Sequence, residues 1–360
     1  MAVDAIGLLN SGAAELPKTR SSKCDFRSHL SNILDTYLTE LDAMTATDPV
    51  TVAISRARTQ IVALARDTRK AITHSLTGKP DLALRTLDSA LTKVQPHLQA
   101  MAAQPLPVYL TRLYRARVSS DNLGGRKKEF FHVPFDKRHL VGPTRFSFPG
   151  LPCLYLGSSP YVCWEELDRP SLHKFWTSRL EVVGPKSPKL LDLGYRPAFV
   201  AAMLSQYRKN LPSGWAALAI GHAVLWPLVA ACSHTVLSTR APFKVEYLVP
   251  QLLLRLVVET NKFDGIRYFS THVEKYTPST YAMNFVFPAR TDGKRGYCTT
   301  LRRQFVVTDP LLASKVTRLL APQPSGNPVP QFEIPFAGSF VQYDKTRFAW
   351  VDGHLGNLPA

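Results

Sequence analysis

From Phe26 onwards, apolar positions recur at spacings of three and four. Leu30, Ile33, Leu34, Tyr37, Leu38 and Leu41 fall on one face of a helix with 3.6 residues per turn. Asp48-Pro49 supplies a cap and a first-turn proline for a second helix, whose apolar face carries Ile54, Ala57, Ile61, Leu64, Ala65 and Ile72. Gly78-Lys79-Pro80-Asp81 closes that helix and opens a third with Leu84, Leu87, Leu91, Val94 and Leu98 on one side; Pro96 is placed to kink or shorten its end. These short-linked amphipathic helices predict an antiparallel bundle over 26–103. Residues 1–25 are polar and aperiodic, which predicts a flexible tail.

Past Ala103-Gln104-Pro105-Leu106-Pro107, which reads as a linker, the texture changes to short apolar runs between Gly and Pro. Runs at 108–114, 151–156, 176–183, 190–193 and 283–288 predict strands, and 263–270 reads as a turn into another. Ser158 or Ser159 with Pro160 starts a helix over 161–167. Helices are also expected over 198–211 and 245–259. The apolar run 215–232 is long enough for a membrane to be considered, but Gly221, His222 and Trp226-Pro227 interrupt it, so it reads as a buried core helix. The mixture predicts an α+β chain with strands too irregular for a doubly wound parallel sheet. There is no GxGxxG and no Walker loop, which disfavours Rossmann and P-loop chemistry. A Pro-rich linker at 322–330 precedes a short C-terminal extension, giving domains at 1–25, 26–103, 104–321 and 322–360.

Composition narrows the functional class. The chain has 360 residues, 45% hydrophobic, enough to form a core without disulfides. Its five cysteines are scattered with no CxxC pair, which argues against a disulfide framework and a zinc site and fits a reducing compartment. The first residues lack a basic region before an apolar run, so the cytoplasm is the expected location and no membrane is expected as a partner. A net charge of +17 suits nucleic acid, an acidic partner or an anionic small substrate. Without a zinc-finger spacing, an aromatic RNP motif or a long basic helix, nucleic acid ranks behind the substrate reading.

The densest cluster of chemistry-bearing residues is 141–167, VGPTRFSFPGLPCLYLGSSPYVCWEEL, with an arginine, a tyrosine and two adjacent acids on successive short elements. Together with Leu113-Tyr114-Arg115-Ala116-Arg117, Glu246-Tyr247…Pro250-Gln251 and Asp264-Gly265-Ile266-Arg267-Tyr268-Phe269-Ser270, it resembles the RES-domain proteins, named for an arginine, a glutamate and a serine. The resemblance covers about 108–290. Glu166, eleven residues after Tyr155, fits the family spacing, and Glu165 is the fallback. Ser147 stands where the family often has Asn.

The resemblance implies a fold similar to diphtheria-toxin-like ADP-ribosyltransferases and consumption of NAD⁺ as substrate. No permanently bound cofactor or metal is implied. Small family members are toxins of toxin–antitoxin pairs that cleave NAD⁺ by phosphorolysis or hydrolysis, so inorganic phosphate and an antitoxin protein become candidate partners. On this reading Arg115, Glu166 and Ser270 are catalytic, and Tyr114, Arg145, Ser147 and Tyr155 bind substrate. Glu165, Glu246 and Tyr268 are weaker candidates. The residue chemistry is suited to this: a carboxylate stabilises an oxocarbenium-like sugar, arginines suit a pyrophosphate, and a tyrosine can stack on a ring. Two alternatives stand beside it: transfer of ADP-ribose to a protein acceptor, and a non-enzymatic nucleic-acid-binding module.

Overall fold

The polar residues that the sequence offers as helix starts do cap helices in the computed structural model of the chain. It describes residues 3–102, 112–184, 186–273, 282–290, 293–315, 332–334, 339–341 and 348–356. The expected linker at 103–107, the 108–111 part of the first predicted strand and the Pro-rich stretch at 322–330 lie outside them. The chain divides into two units, the first made of Met1–Gln104, Pro143–Phe148 and Lys189–Ile266, and the second of the remainder.

The first unit is mainly helical. It holds α1 (Ala5–Asn10), α2 (Phe26–Asp42), α3 (Pro49–Arg56), α4 (Arg58–Leu76), α5 (Pro80–Lys93) and α6 (Gln95–Ala102). In the same unit are strand β4 (Leu190–Leu193) and helices α8 (Pro197–Gln206), α9 (Ser213–Cys232) and α10 (Leu248–Thr260). Asp25 and Asp48 accept from the first-turn amides of α2 and α3, satisfying donors that have no helical partner. The second predicted helix is two, α3 and α4, separated at Ala57. Its apolar period runs through the break, with Ile54 and Ile61 both fully buried, so the sequence reads as one helix. Pro96 sits in the first turn of a new helix, α6, where its missing N–H costs nothing.

Two expectations need correction here. Of the segment 1–25, residues 3–25 are not a loose tail: Asp4 caps α1, and Leu8, Leu9, Ala14 and Leu16 are buried. Lys18 N–H donates to Ser233 O (3.2 Å) and Thr235 N–H to Lys18 O (2.9 Å). A helix this short shows no period, and its anchoring comes from partners far along the chain. Nor do residues 26–103 close a domain by themselves, since α8, α9 and α10 belong to the same unit. The amphipathic helices need cover for their apolar faces, and α9 supplies it. All residues of α9 from Leu218 to Cys232 except Ile220 are buried.

Pro227 lies inside α9 and has no N–H to give the carbonyl of Ala223, one turn earlier. Tyr37 replaces that donor: its hydroxyl donates to Ala223 O at 2.9 Å, while its ring stacks on Trp226 at 3.9 Å. Tyr37→Phe is therefore expected to lower stability by about 1–3 kcal/mol, the cost of a buried carbonyl left without a partner. Pro227→Ala should shrink that cost by restoring the backbone donor. Urea unfolding of the two single variants and the double variant reads the coupling; equal costs in both backgrounds would contradict it.

The second unit carries a sheet built largely from antiparallel pairs. Its strands are β1 (Arg112–Val118), β2 (Cys153–Gly157), β3 (Phe175–Val182), β5 (Gly265–Phe269, in this unit from Arg267), β6 (Met283–Pro288), β7 (Phe305–Val307) and β8 (Leu311–Leu312). They run in the order β5-β6-β2-β1-β3-β7, with β8 also pairing β3. Register is set by apolar pairs such as Leu154 opposite Phe287 and Leu113 opposite Leu180. Among the described residues the unit also holds the α-helices α7 (Pro160–Glu166), α11 (Thr299–Gln304) and α12 (Phe348–Gly356). Phe348, Val351 and Leu355 of α12 pack with Tyr114, Cys163 and Phe175. A separate antiparallel pair joins β9 (Phe332–Ile334) and β10 (Ser339–Val341). The chain is thus α+β, with antiparallel pairing where a doubly wound sheet would be parallel.

Candidate active site

The candidate site grows from the turn between β2 and α7. Gly157 ends the strand where any Cβ would come within 2.8 Å of Cys163 Sγ, so only glycine lets the helix fold back so closely. Ser159 Oγ accepts from Val162 N–H at 3.1 Å and Pro160 occupies the first turn, which fixes where α7 begins and leaves Glu166 as its last residue.

The two adjacent acids have different fates, because neighbours on a helix point about 100° apart. Glu165 is 4% exposed and its Oε2 accepts from Arg169 Nε at 2.8 Å. Burial together with a hydrogen bond to Glu165 pushes the Tyr161 hydroxyl up to about 12. Glu166, with 30% of its side chain exposed, turns the other way. Its Oε1 accepts from Ser270 Oγ and from Asn284 Nδ2, each at 2.6 Å. Ser270 directly follows β5 and ties to the start of β6 through Ser270 N–H to Ala282 O at 2.7 Å. Asn284 is the second residue of β6 and lies opposite Gly157. Three elements thus converge on one carboxylate oxygen and leave the second less engaged.

Asn284 is not singled out by the sequence reading, although its strand is. The available signal is one polar residue inside the apolar run Met283–Pro288, and it is 5% exposed. His272 adjoins the site. Its backbone N–H donates to Ser270 Oγ at 3.1 Å, and its ring lies 3.9 Å from Glu166 and 3.7 Å from Asp168.

Arg115 lies on β1 and is 8% exposed. Its Nη1 donates to Tyr155 O at 2.9 Å, while its buried Nε has no hydrogen-bond partner among the described residues. Burial, and after it the charge of Arg117, pushes its pKa well below the usual arginine range. A buried guanidinium of this kind favours an anion beside it. Tyr155, partly exposed on β2, sits opposite Val286. Tyr268 is half-buried on β5. Tyr114 departs from the substrate-binding expectation: it is 2% exposed and gives its hydroxyl to Asp352, so its ring has no face open to a ligand.

The remaining candidates belong to the first unit and have partners there. Arg145 Nη1 donates to the carbonyls of Cys232 (3.1 Å) and His234 (2.9 Å), and its guanidinium lies 5.2 Å from the centre of the Tyr247 ring. Ser147 shares a 2.7 Å hydrogen bond with Thr144, and Gln251 Nε2 donates to both of their carbonyls. Glu246, 3% exposed, pairs with Arg20 at 3.2 Å. Among the described residues, no three His, Cys, Asp or Glu side chains are placed to hold a metal ion.

No protein-family profile matches the chain. Among solved structures, the crystal structure of the M. tuberculosis MbcT–MbcA toxin–antitoxin complex is similar over 62% of this chain and 97% of that one. The identity is 15% and the TM-score 0.26, too low to carry a fold assignment. Over 351 residues, 95% of this chain and 78% of the relative, the sequence is 28% identical to a Bacillus subtilis (strain 168) protein described as putative toxin YopC. Nearly the whole chain is therefore similar to a protein described as a putative toxin.

Proposed function

We propose that this protein is a toxin-like enzyme that cleaves the nicotinamide–ribose bond of NAD⁺ and passes ADP-ribose to phosphate or water. The observation that carries this reading is the Glu166 carboxylate, oriented through one oxygen by Ser270 and Asn284. The resemblance to RES-domain proteins and the similarity to a putative toxin support it.

In the proposed step the bond between the nicotinamide nitrogen and the ribose carbon breaks, and its electron pair leaves with the nitrogen. Nicotinamide departs neutral, and positive charge develops on the sugar. Glu166 stabilises that charge electrostatically, while Ser270 and Asn284 hold the carboxylate in place so that little reorganisation is needed. A phosphate oxygen then bonds to the sugar carbon and gives ADP-ribose-1″-phosphate. Water in its place gives ADP-ribose and a released proton. Arg115 is the anion donor of this reading and Tyr155 the ring on which an aromatic part of the substrate stacks. The net charge of +17 attracts both anionic reactants. Such an activity in the cytoplasm calls for a restraining antitoxin protein, which the reading includes as partner.

The test is NAD⁺ consumption by the purified full-length protein, with and without inorganic phosphate, with products identified by mass. Nicotinamide release is expected in either case. A phosphate-dependent ADP-ribose-1″-phosphate peak indicates phosphorolysis, and phosphate-independent ADP-ribose indicates hydrolysis. NAD⁺ left intact under both conditions would defeat the reading.

A further inference from the structure

The helical unit holds a cavity that the proposed reaction does not use. It lies between α5, α6, α10 and the start of β4 and measures about 110 Å³. All of its lining residues belong to the first unit. The walls are apolar: Leu98 from α6, Leu191 from β4, Leu253, Leu256 and Val257 from α10, and Phe263 just beyond it. Protein interiors leave few voids larger than a water molecule, and the atoms lining a gap forgo contacts they would otherwise make. An apolar cavity of about 150 Å³ stays dry and takes up benzene. This one is of similar size and opens at a mouth, so a single ring or a branched chain end fits it.

The mouth carries positive charge. Lys189, the residue before β4, and Lys262, two residues after α10, both line the pocket and are both exposed. Asn261 ends α10 in the left-handed conformation, with φ at 54°, and turns the chain into Lys262 and Phe263. Asp264 then clamps the two segments together. Its Oδ2 accepts from Lys189 N–H and its own N–H donates to Lys189 O, each at 2.7 Å. That carboxylate thus serves the backbone. The Lys189 ammonium lies 5.5 Å from the centre of the Phe263 ring, which holds the charge over the apolar wall. Among the described residues neither lysine is in a salt bridge, and the acid that lines the pocket is Asp88 on α5.

We propose that this pocket binds a small monocarboxylate with an apolar body. The body fills the space between the leucines, Val257 and Phe263, and the carboxylate meets Lys189 and Lys262 at the mouth. Two cations against one acid favour an anionic head over a neutral one of the same shape. Asp88 opposes a second carboxylate, so a dianion is a poorer ligand. None of Glu166, Ser270 and Asn284 contributes to this pocket, so the site stands whether or not the protein cleaves NAD⁺.

The experiment titrates the full-length protein, labelled at its leucine and valine methyl groups, with three probes followed by NMR: phenylacetate, phenylacetamide and phenylmalonate. Phenylacetate should shift the methyl signals of Leu98, Leu191, Leu253, Leu256 and Val257 saturably, with a dissociation constant of about 0.1–1 mM. Phenylacetamide, the neutral analogue, should bind about tenfold more weakly, and phenylmalonate more weakly than phenylacetate. The double variant Lys189→Gln, Lys262→Gln changes two exposed side chains and should keep the wild-type circular dichroism and urea midpoint. In it the preference for phenylacetate over phenylacetamide should vanish. Methyl signals of the pocket left unmoved at about 10 mM phenylacetate overturn the proposal. So does equal affinity for acid and amide, or a preference that survives in the double variant. Tighter binding of phenylmalonate than of phenylacetate overturns the assignment of a single charge.

Discussion

Glu166→Gln is expected to slow NAD⁺ consumption by about 10²–10³-fold, the usual cost of removing one preorganised electrostatic group from a transition state, while the protein still folds. The replacement preserves size, and its carbonyl can still accept from Ser270 or Asn284 in place of Oε1. What it loses is the negative charge beside the sugar. Glu165→Gln is expected to do the reverse. That carboxylate is buried, accepts from Arg169 and contacts the Tyr161 hydroxyl, so it serves the packing of α7. Arg169 is itself more than half exposed, which limits the loss to about 1 kcal/mol. Turnover per folded molecule should stay within a few-fold of wild type. Steady-state turnover and urea unfolding on both variants decide the matter. If Glu165→Gln were the variant that loses turnover, the assignment within the doublet would be inverted.

Mild acid is expected to destabilise the protein well before its carboxylates titrate. In the second unit His132 is 1% exposed and burial pushes it down to about 4. Its Nε2 accepts from Cys298 N–H at 2.8 Å, a bond that protonation of Nε2 would break. In the first unit His234 is fully buried. Burial, then the neighbouring His29 and Arg145, pushes it down to about 3. Both values lie below the roughly 6.5 of an unfolded histidine. Above that pH neither state binds the proton and the groups cost nothing. As pH falls from about 6.5 towards 4, the unfolded chain takes up protons that the folded chain cannot, and stability drops. His132 alone accounts for about 3 kcal/mol near pH 4, and His234 for a similar order. Typical domain stabilities are about 5–15 kcal/mol, so the loss is a large fraction of the total. The urea midpoint should fall steadily below about pH 6.5, and less steeply in His132→Gln. A flat midpoint down to about pH 5 would contradict this account.

The extent to which the sequence could be read followed the range of the signals. Ser159 and Pro160 act within one turn, so the strand, turn and helix around Glu166 are readable from residues alone. The apolar period likewise places α2 and β6. Which member of the Glu165-Glu166 doublet meets Ser270 is not readable, because it depends on the orientation of α7 against β5 and β6. Asn284 is missed for the same reason: its significance comes from lying beside Gly157 and Ser270, far away in sequence. Tyr114 misleads in the opposite direction, since the α12 residues that bury it come from the far end of the chain. The short α1 gives no period at all, and its anchors, such as Trp226 Nε1–H donating to Ala14 O at 2.9 Å, are long-range.

The discontinuous first unit bears on how the protein is made. Its core draws on Met1–Gln104, Pro143–Phe148 and Lys189–Ile266, so the early helices emerge from the ribosome with apolar faces meant for α9. At about 5–20 residues per second, they wait roughly ten to thirty seconds before Ile266 is synthesised. During that interval the nascent chain is a natural client for chaperones. Cutting at residue 104 would yield two fragments with open cores, not an appendage and an enzyme, and both would tend to aggregate.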